Sequence, residues 1–410
     1  ADRMADAVLV LNSGSSSIKF AVFDLSANEP ALICEGLLDE HEAAPRLIVN
    51  DPSGKKLHET HRSATDKDGD GLFVDILTWL DHFLARGALA AVGHRVVHGG
   101  RDFVDPVEIT EARIEALDAL TPLAPLHQPR CLSPMRAIRT LRPELCQIAC
   151  FDTAFHHGLA PTVRRFAIPR RFEDAGIRRY GFHGLSYEYI AGRLAAMSPE
   201  MAAKRTVVAH LGNGASLCAM REGRSVDTTM GLTPLDGLVM GTRCGQIDPG
   251  VLLYLLQETR MPVADLEHLL YQESGLLGVS GLSADMRALE ASKDAAAAEA
   301  IDLFSFRVAQ QVAAMTATLS GLDCLVFTGG IGEHSGPVRE QICERLHWLG
   351  VRLDAPANNQ ASARINSEGS AVDVLIIPTS EETVIARYCA AMLTRRRNAG
   401  DMLKQKARAR

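Results

Sequence analysis

Aromatic residues are scarce, at 5% of the chain, and no stretch reaches the roughly 20 consecutive apolar residues that a membrane span requires. No membrane association is therefore expected. Cysteine pairs of the CxxC kind are also missing. The nine cysteines include Cys146 and Cys150, which lack the histidine or second-pair spacing of a zinc site, so free thiols in a reducing cytoplasm are the expectation. The opening residues, Ala1 to Asp6, carry no signal-like apolar stretch, which fits the same compartment. An excess of positive charge is absent too: the formal net charge of −7 argues against a dedicated nucleic-acid surface. With 47% hydrophobic and 23% charged residues the chain is neither disordered nor fibrous, and at 410 residues it is too long for one ordinary core, so two domains are expected.

What the chain does have is a repeated turn. Asn12-Ser13-Gly14-Ser15-Ser16-Ser17 and His210-Leu211-Gly212-Asn213-Gly214-Ala215-Ser216 each follow an apolar strand and lead into another. Glycine permits the tight turn, and exposed N–H and hydroxyl groups can donate to an anion. The pair reads as a duplicated phosphate cradle in two related domains facing one nucleotide. The first turn is not a Walker A loop, since it lacks the Gly-Lys-Ser/Thr ending and enters a strand, where Ile18, Phe20 and Val22 alternate with other residues. Lys19 could steady phosphate oxygens or simply face solvent.

Short Val/Ile/Leu strands alternate with Ala-rich periodic segments, the pattern of an α/β protein. Residues 51–70 are polar and read as a surface excursion, followed by a helix over 72–86 and a strand over 89–97. A helix over 111–120 is broken by the prolines of 121–127, and a strand over 148–153 ends the first domain. Helices are expected over 251–258 and 264–271, and over 289–319 with a break near 289–296. A strand over 325–327 should enter a tight turn at 328–334, before a helix over 338–349 and a strand over 372–377. Pro378-Thr379-Ser380 should cap a helix from Glu381 to about Arg395, leaving 404–410 as a frayed basic tail.

Several charged residues sit where strands end. Arg95, in Gly93-His94-Arg95-Val96-Val97-His98-Gly99-Gly100, and Arg243, in Met240-Gly241-Thr242-Arg243, offer planar donor forks. Together they could clamp a transferring phosphoryl group. Asp152 and Glu381 could support a hard divalent cation, although an acid in the first turn of a helix is favoured anyway. His183 reads equally as a core histidine or as a donor to developing negative charge.

Taken in order, residues 8–20, 93–100, 151–156, 180–186, 210–216, 227–249 and 327–335 resemble the signature segments of the acetate kinases, a family of the acetate and sugar kinase, Hsp70 and actin superfamily. The resemblance implies an α/β fold of duplicated ribonuclease H-like domains, with mixed sheets flanked by helices in an actin-like ATPase architecture. It places residues 1–153 and 384–399 in an N-terminal acyl- and phosphate-binding domain completed by the C-terminal helix, 154–383 in a nucleotide-binding domain, and 400–410 in the basic tail. Arg95, Asp152, His183 and Arg243 are implied as catalytic, with His127 beside the acyl phosphate. Val97, Leu126, Phe182 and Pro234 match the pocket around the acyl methyl. Asn12, Ser15, Ser17 and Lys19 match the first phosphate segment, and His210, Gly212, Asn213 and Gly214 the second. Asp285, Met286 and Arg287, with Gly330, Ile331, Gly332 and Glu333, match the adenosine side, while Asn12 and Glu381 would place magnesium, which manganese can replace. This chain departs from the family pattern at Gln128, where asparagine is usual, at Leu185 and Tyr187 in the usual Gly-Thr-Ser-His run, and at His157, Gln246 and His334.

The implied reaction is reversible, magnesium-dependent phosphoryl transfer from ATP to acetate, giving acetyl phosphate and ADP by direct in-line transfer, with domain closure to exclude water. A homodimer is implied as well. Propionate kinase is the nearest alternative, because one methylene changes binding by only about 1–3 kcal/mol. A nucleotide-regulated binding protein without catalysis is the more distant one.

Overall fold

The computed structural model describes residues 6–13, 17–39, 45–61, 71–84 and 89–408, the last nine of them and residue 72 without their side chains. The chain divides into two compact units, Ala1–Ala154 with Ser380–Arg410, and Phe155–Thr379. The return into the first unit falls at Ser380 rather than at 384, because the terminal helix starts at Glu381 and its first turns, through Val384, Ile385, Ala386 and Cys389, pack on that unit's sheet. Glu381 thus belongs to the first unit, not to the second.

The first unit is built on strands β1 (Ala7–Ser13), β2 (Ser17–Asp24), β3 (Ala31–Asp39), β4 (Arg46–Asn50), β5 (Lys56–His61), β6 (Leu89–Val96), β7 (Val107–Glu108) and β8 (Cys146–Phe151). Their order in the sheet is β5-β4-β3-β2-β1-β6-β8-β7. β1, β6 and β8 run parallel, whereas β1 to β5 form an antiparallel meander. Residues 7–11 of β1 are all buried, as a strand covered on both faces requires. On one face the helix Gly71–Phe83 presents Phe73, Ile76, Leu77 and Leu80 to Leu9, Leu11 and Phe20. The helix Glu381–Arg408 packs on β6 and β1. Close approach there depends on Gly93, where a β-carbon would stand 2.5 Å from Ile385 Cγ2 and 2.8 Å from Cys389 Sγ.

Two expectations need correction in this unit, and one helix was not foreseen. Within the supposed surface excursion, Asp51 turns the chain by accepting from the Ser53 and Lys55 N–H groups, and Lys56–His61 then forms an edge strand; residues 62–70 lie outside the described residues. A helix over Gln128–Leu141 follows the proline-rich turn, because a proline in the first helical turn forfeits only an N–H that would be unpaired anyway. The terminal helix runs on to Arg408 instead of stopping near Arg395, since its Lys, Arg, Gln and Ala residues are good helix formers.

The second unit carries β9 (Thr206–Leu211), β10 (Ala215–Arg221), β11 (Arg224–Thr228), β12 (Cys324–Thr328) and β13 (Asp373–Ile376), in the order β11-β10-β9-β12-β13. Helix Gly184–Met197 sends Tyr187, Ile190 and Leu194 into a core with Val208, Cys218 and Val326. Helix Ala295–Leu319, which packs on β9 and β10, buries Phe304, Val308, Val312 and Met315. It is separated from helix Met286–Ala291 by a break in which Asp294 caps the Ala296 N–H. Residues 329–334, expected as a tight turn, are a short helix entered through Gly329 at φ +78°, where a β-carbon would lie 2.7 Å from the Leu211 carbonyl oxygen. In both units an antiparallel meander of three strands is continued, beyond its first strand, by two parallel strands: β3-β2-β1-β6-β8 and β11-β10-β9-β12-β13. This repeat is the duplicated ribonuclease H-like topology.

Candidate active site

Parallel strands bring their carboxyl ends together, and in the first unit those ends carry the charged residues. Asn12 lies near the end of β1, Arg95 near the end of β6, and Asp152 directly after β8. The Arg95 guanidinium donates from Nη2 to Asp152 Oδ2 at 2.6 Å and from Nε to Oδ1 at 3.0 Å, and from Nη1 to Asn12 Oδ1 at 3.0 Å. Glu381, first residue of the terminal helix, stands 3.3 Å from Arg95 Nε and accepts from Asn12 Nδ2 at 3.2 Å. Asn12 Nδ2 also donates to Glu382 Oε1 at 2.9 Å. Burial alone would lower the pKa of Arg95, but Asp152 and Glu381 hold it firmly protonated. Burial pushes the Glu381 carboxyl up to about 7; Arg95 pulls it down, while Asp152 and Glu382 push it higher.

The surrounding residues hold this cluster in place. Gln128, wholly buried, accepts from the His98 N–H and donates to the His98 and Leu117 carbonyls, which ties down the backbone leaving β6. His94 bonds Gln147 through Nε2 at 2.8 Å, and burial pulls its pKa down to about 4. Val97 is buried, and Leu126 and His127 are half-buried just before helix Gln128–Leu141. Lys19 pairs with Asn12 in the β1–β2 register and is exposed, lining a cleft of about 510 Å³ with Ser380, Glu382 and Thr383. Ser17 starts β2 half-buried, and Ser15 lies outside the described residues.

In the second unit the β9–β10 turn is surrounded by donors. A β-carbon on Gly214 would meet Arg243 Nη2 at 2.6 Å and His183 Nε2 at 3.4 Å, so glycine alone lets both side chains close on the turn. Arg243 Nη1 donates to the Pro234 carbonyl at 2.6 Å. His183 occupies the left-handed region at φ 57°, a strained conformation for this residue type, and its ring stacks on His210 at 4.2 Å. His183 Nδ1 bonds Ser216 Oγ at 2.8 Å, and His210 Nδ1 bonds Ser186 Oγ at 2.8 Å. Phe182 is buried, and its carbonyl meets His156 Nε2 at 2.9 Å. Burial pulls the His156 pKa down to about 4, leaving a neutral ring to buttress the loop.

A cleft of about 560 Å³ lies beside this turn, lined by Gly212, Asn213, Asp285, Met286, Arg287, Gly330 and Ile331, together with Glu290, His334 and Ser335. Asp285 also caps helix Met286–Ala291 by accepting from the Arg287 N–H. Gly332 and Glu333 are not among its lining residues. Instead Glu333 Oε1 accepts from the Gly329 and Thr379 N–H groups, which fixes the strand-to-helix entry. Sequence reasoning overlooked Glu382 and gave Ser216 no role beyond its place in the glycine turn, because each acts through a partner remote in the chain.

A duplicated ribonuclease H-like fold, with one half offering a nucleotide-sized cleft beside a glycine turn and the other a half-buried arginine among carboxylates, defines an actin-like phosphotransferase. The acetokinase family profile matches residues 7–387. The chain is 51% identical over 390 residues to an acetate kinase of Rhodopseudomonas palustris, covering 94% of this chain and 98% of that protein. It is 48% identical to an acetate kinase of Methylocella silvestris, covering 95% and 98%. Among solved structures, a propionate kinase from Francisella tularensis superposes with a TM-score of 0.86 at 37% identity, and Porphyromonas gingivalis acetate kinase with 0.82 at 35%; each comparison covers 93% of this chain and 98% of the other. The chain belongs to the acetokinase family.

Proposed function

We propose that the protein is an acetate kinase, transferring the γ-phosphoryl group of ATP to acetate to give acetyl phosphate and ADP, reversibly and with magnesium. The observation that supports this most is the pairing of Arg95 with the buried Asp152 beside Asn12 and Glu381, at the ends of parallel strands in a chain of this family.

Acetate is a carboxylate at neutral pH, so it needs alignment rather than deprotonation, and the obstacle is bringing two anions together. Arg95 supplies charge and direction: bonds to Asp152 and Asn12 engage three of its five N–H groups, and two remain unengaged by described residues. Asp152, with both oxygens on Arg95, orients that fork and is poorly placed to act as a nucleophile, which favours direct in-line transfer over a phosphoenzyme. Arg243 and His183 donate toward the equatorial phosphoryl oxygens, and Lys19 toward the phosphate chain. The cleft at Gly212, Asp285 and Gly330 takes the adenosine.

The residues present fit magnesium. Asp152 and Glu381 both stand at the Arg95 guanidinium and Glu382 bonds the Asn12 amide, so hard oxygen donors gather at Asn12 and Glu381. Among the described residues no group of three or more His, Cys, Asp or Glu is placed to hold a metal by itself. That suits an ion bound through one or two protein oxygens and the phosphates of its nucleotide. Bound there, magnesium would neutralise phosphate charge.

The same reading includes a homodimer. Helix Pro249–Gln257, Pro-Gly-Val-Leu-Leu-Tyr-Leu-Leu-Gln, buries none of its residues, and Leu253 and Tyr254 are 54% and 60% exposed, an apolar face suited to a second copy.

The test is magnesium-dependent ADP formation with acetate, propionate, butyrate and glycerol, against a control without acceptor. The highest kcat/KM for acetate is expected. A preference for propionate would move the assignment to that neighbouring acyl kinase, and nucleotide binding without stimulation by any carboxylate would favour a binding protein.

A further inference from the structure

His183 is linked to a residue that has no reason to be polar unless its hydroxyl is used. Tyr187 lies one helical turn on, is wholly buried, and packs its ring edge-on against His156 and His210 at 5.6 Å and 6.4 Å. Its phenolic oxygen makes a short hydrogen bond to Ser216 Oγ, and Ser216, also wholly buried, bonds His183 Nδ1 at 2.8 Å. The three side chains form one continuous line, ending at the ring whose other nitrogen, Nε2, points to Gly214 beside Arg243.

The direction of that line follows from the chemistry of its members. A phenolic O–H is a stronger donor and a weaker acceptor than an aliphatic hydroxyl, so Tyr187 donates to Ser216. Having accepted there, Ser216 directs its own hydrogen to His183 Nδ1. A neutral imidazole that accepts at Nδ1 must carry its hydrogen on Nε2. Stacking on His210 holds the plane of the ring at 20° to its neighbour. We propose that Tyr187 is a positioning residue which, through Ser216, sets His183 in the tautomer that donates from Nε2 toward the phosphoryl group. The opposite tautomer would turn a lone pair toward phosphoryl oxygens and forfeit that hydrogen bond. The proposal rests on the acetate-phosphorylating reading for its catalytic consequence, but not for the tautomer itself.

Two variants and two readouts test it. Tyr187→Phe keeps the buried ring and removes only the hydroxyl, while Ser216→Ala removes the bridge and carries the test should Tyr187→Phe fail to fold. In each, kcat with acetate should fall about five- to ten-fold while KM for ATP and for acetate stays within about two-fold, the loss of one hydrogen bond made in the transition state. Nitrogen NMR of histidine-labelled protein, with the His183 signals assigned by their loss in His183→Asn, should show a bare Nδ1 and a protonated Nε2 in the parent. Both variants should show a mixture of tautomers. A fall in kcat with the tautomer unchanged would reduce Tyr187 to a packing role, and a protonated Nδ1 in the parent would overturn the direction of the line. Absence of acetate-dependent turnover in the parent, with the NMR result as expected, would sink the functional reading and leave the tautomer assignment standing.

Discussion

Arg95 and its partners set the largest single-residue effects. Asp152 is 1% exposed, so Arg95→Ala would leave a buried carboxylate without its cation, costing about 3–5 kcal/mol of stability as well as turnover. Arg95→Lys separates the two effects, because it keeps the charge and loses the fork. Its kcat should drop about 10²–10³-fold with a much smaller loss of thermal stability than Arg95→Ala, and near-parental turnover would remove Arg95 from the chemistry. The buried histidines make a different prediction. His94 and His156 have folded pKa values near 4, below the unfolded value near 6.5, so the unfolded chain takes up their protons first as the pH falls. The stability from each neutral ring is complete above pH about 6.5 and is lost as pH falls toward 4, on the order of 3 kcal/mol per ring. Thermal unfolding across that range should show the decline, with a shallower slope in His156→Gln, and an equal slope would contradict the assignment. Asn12, Arg95 and Asp152 were legible in the sequence because each closes an apolar strand. Glu382 was not, since its partner Asn12 is 370 residues away.

Among the elements, the terminal helix matters most to the site, for it carries Glu381 and is seated by Gly93. A methyl group at Gly93 would stand within 3 Å of Ile385 and Cys389, forcing the helix away from β6. Gly93→Ala is therefore expected to cost about 1–3 kcal/mol and to raise the magnesium concentration needed for half-maximal activity. Unchanged unfolding and magnesium dependence would show that the helix is seated otherwise. The central strands were readable because β1 and β9 are nearly continuous apolar runs. Helix Gln128–Leu141 was hidden by Pro129 and Pro134, and β5 by its mixed polar composition as an edge strand. The short helix Gly329–His334 was hidden by its three glycines, residues that a pattern reader assigns to turns.

For the whole molecule, the repeated topology was legible because both glycine turns stand between a first and a second antiparallel strand, in each unit. The boundary at Ser380 was not, since a helix start looks the same whichever sheet it packs on. Helix Pro249–Gln257 tests association: Leu253→Glu should convert a dimer to a monomer in sedimentation velocity without unfolding it, and an unchanged sedimentation coefficient would place any interface elsewhere. The central claim is the product itself. Phosphorus NMR of the protein with ATP, magnesium and acetate should show the γ-phosphorus signal replaced by that of acetyl phosphate as ADP accumulates. Release of inorganic phosphate alone, or an ATP spectrum that acetate leaves unaltered, would contradict it.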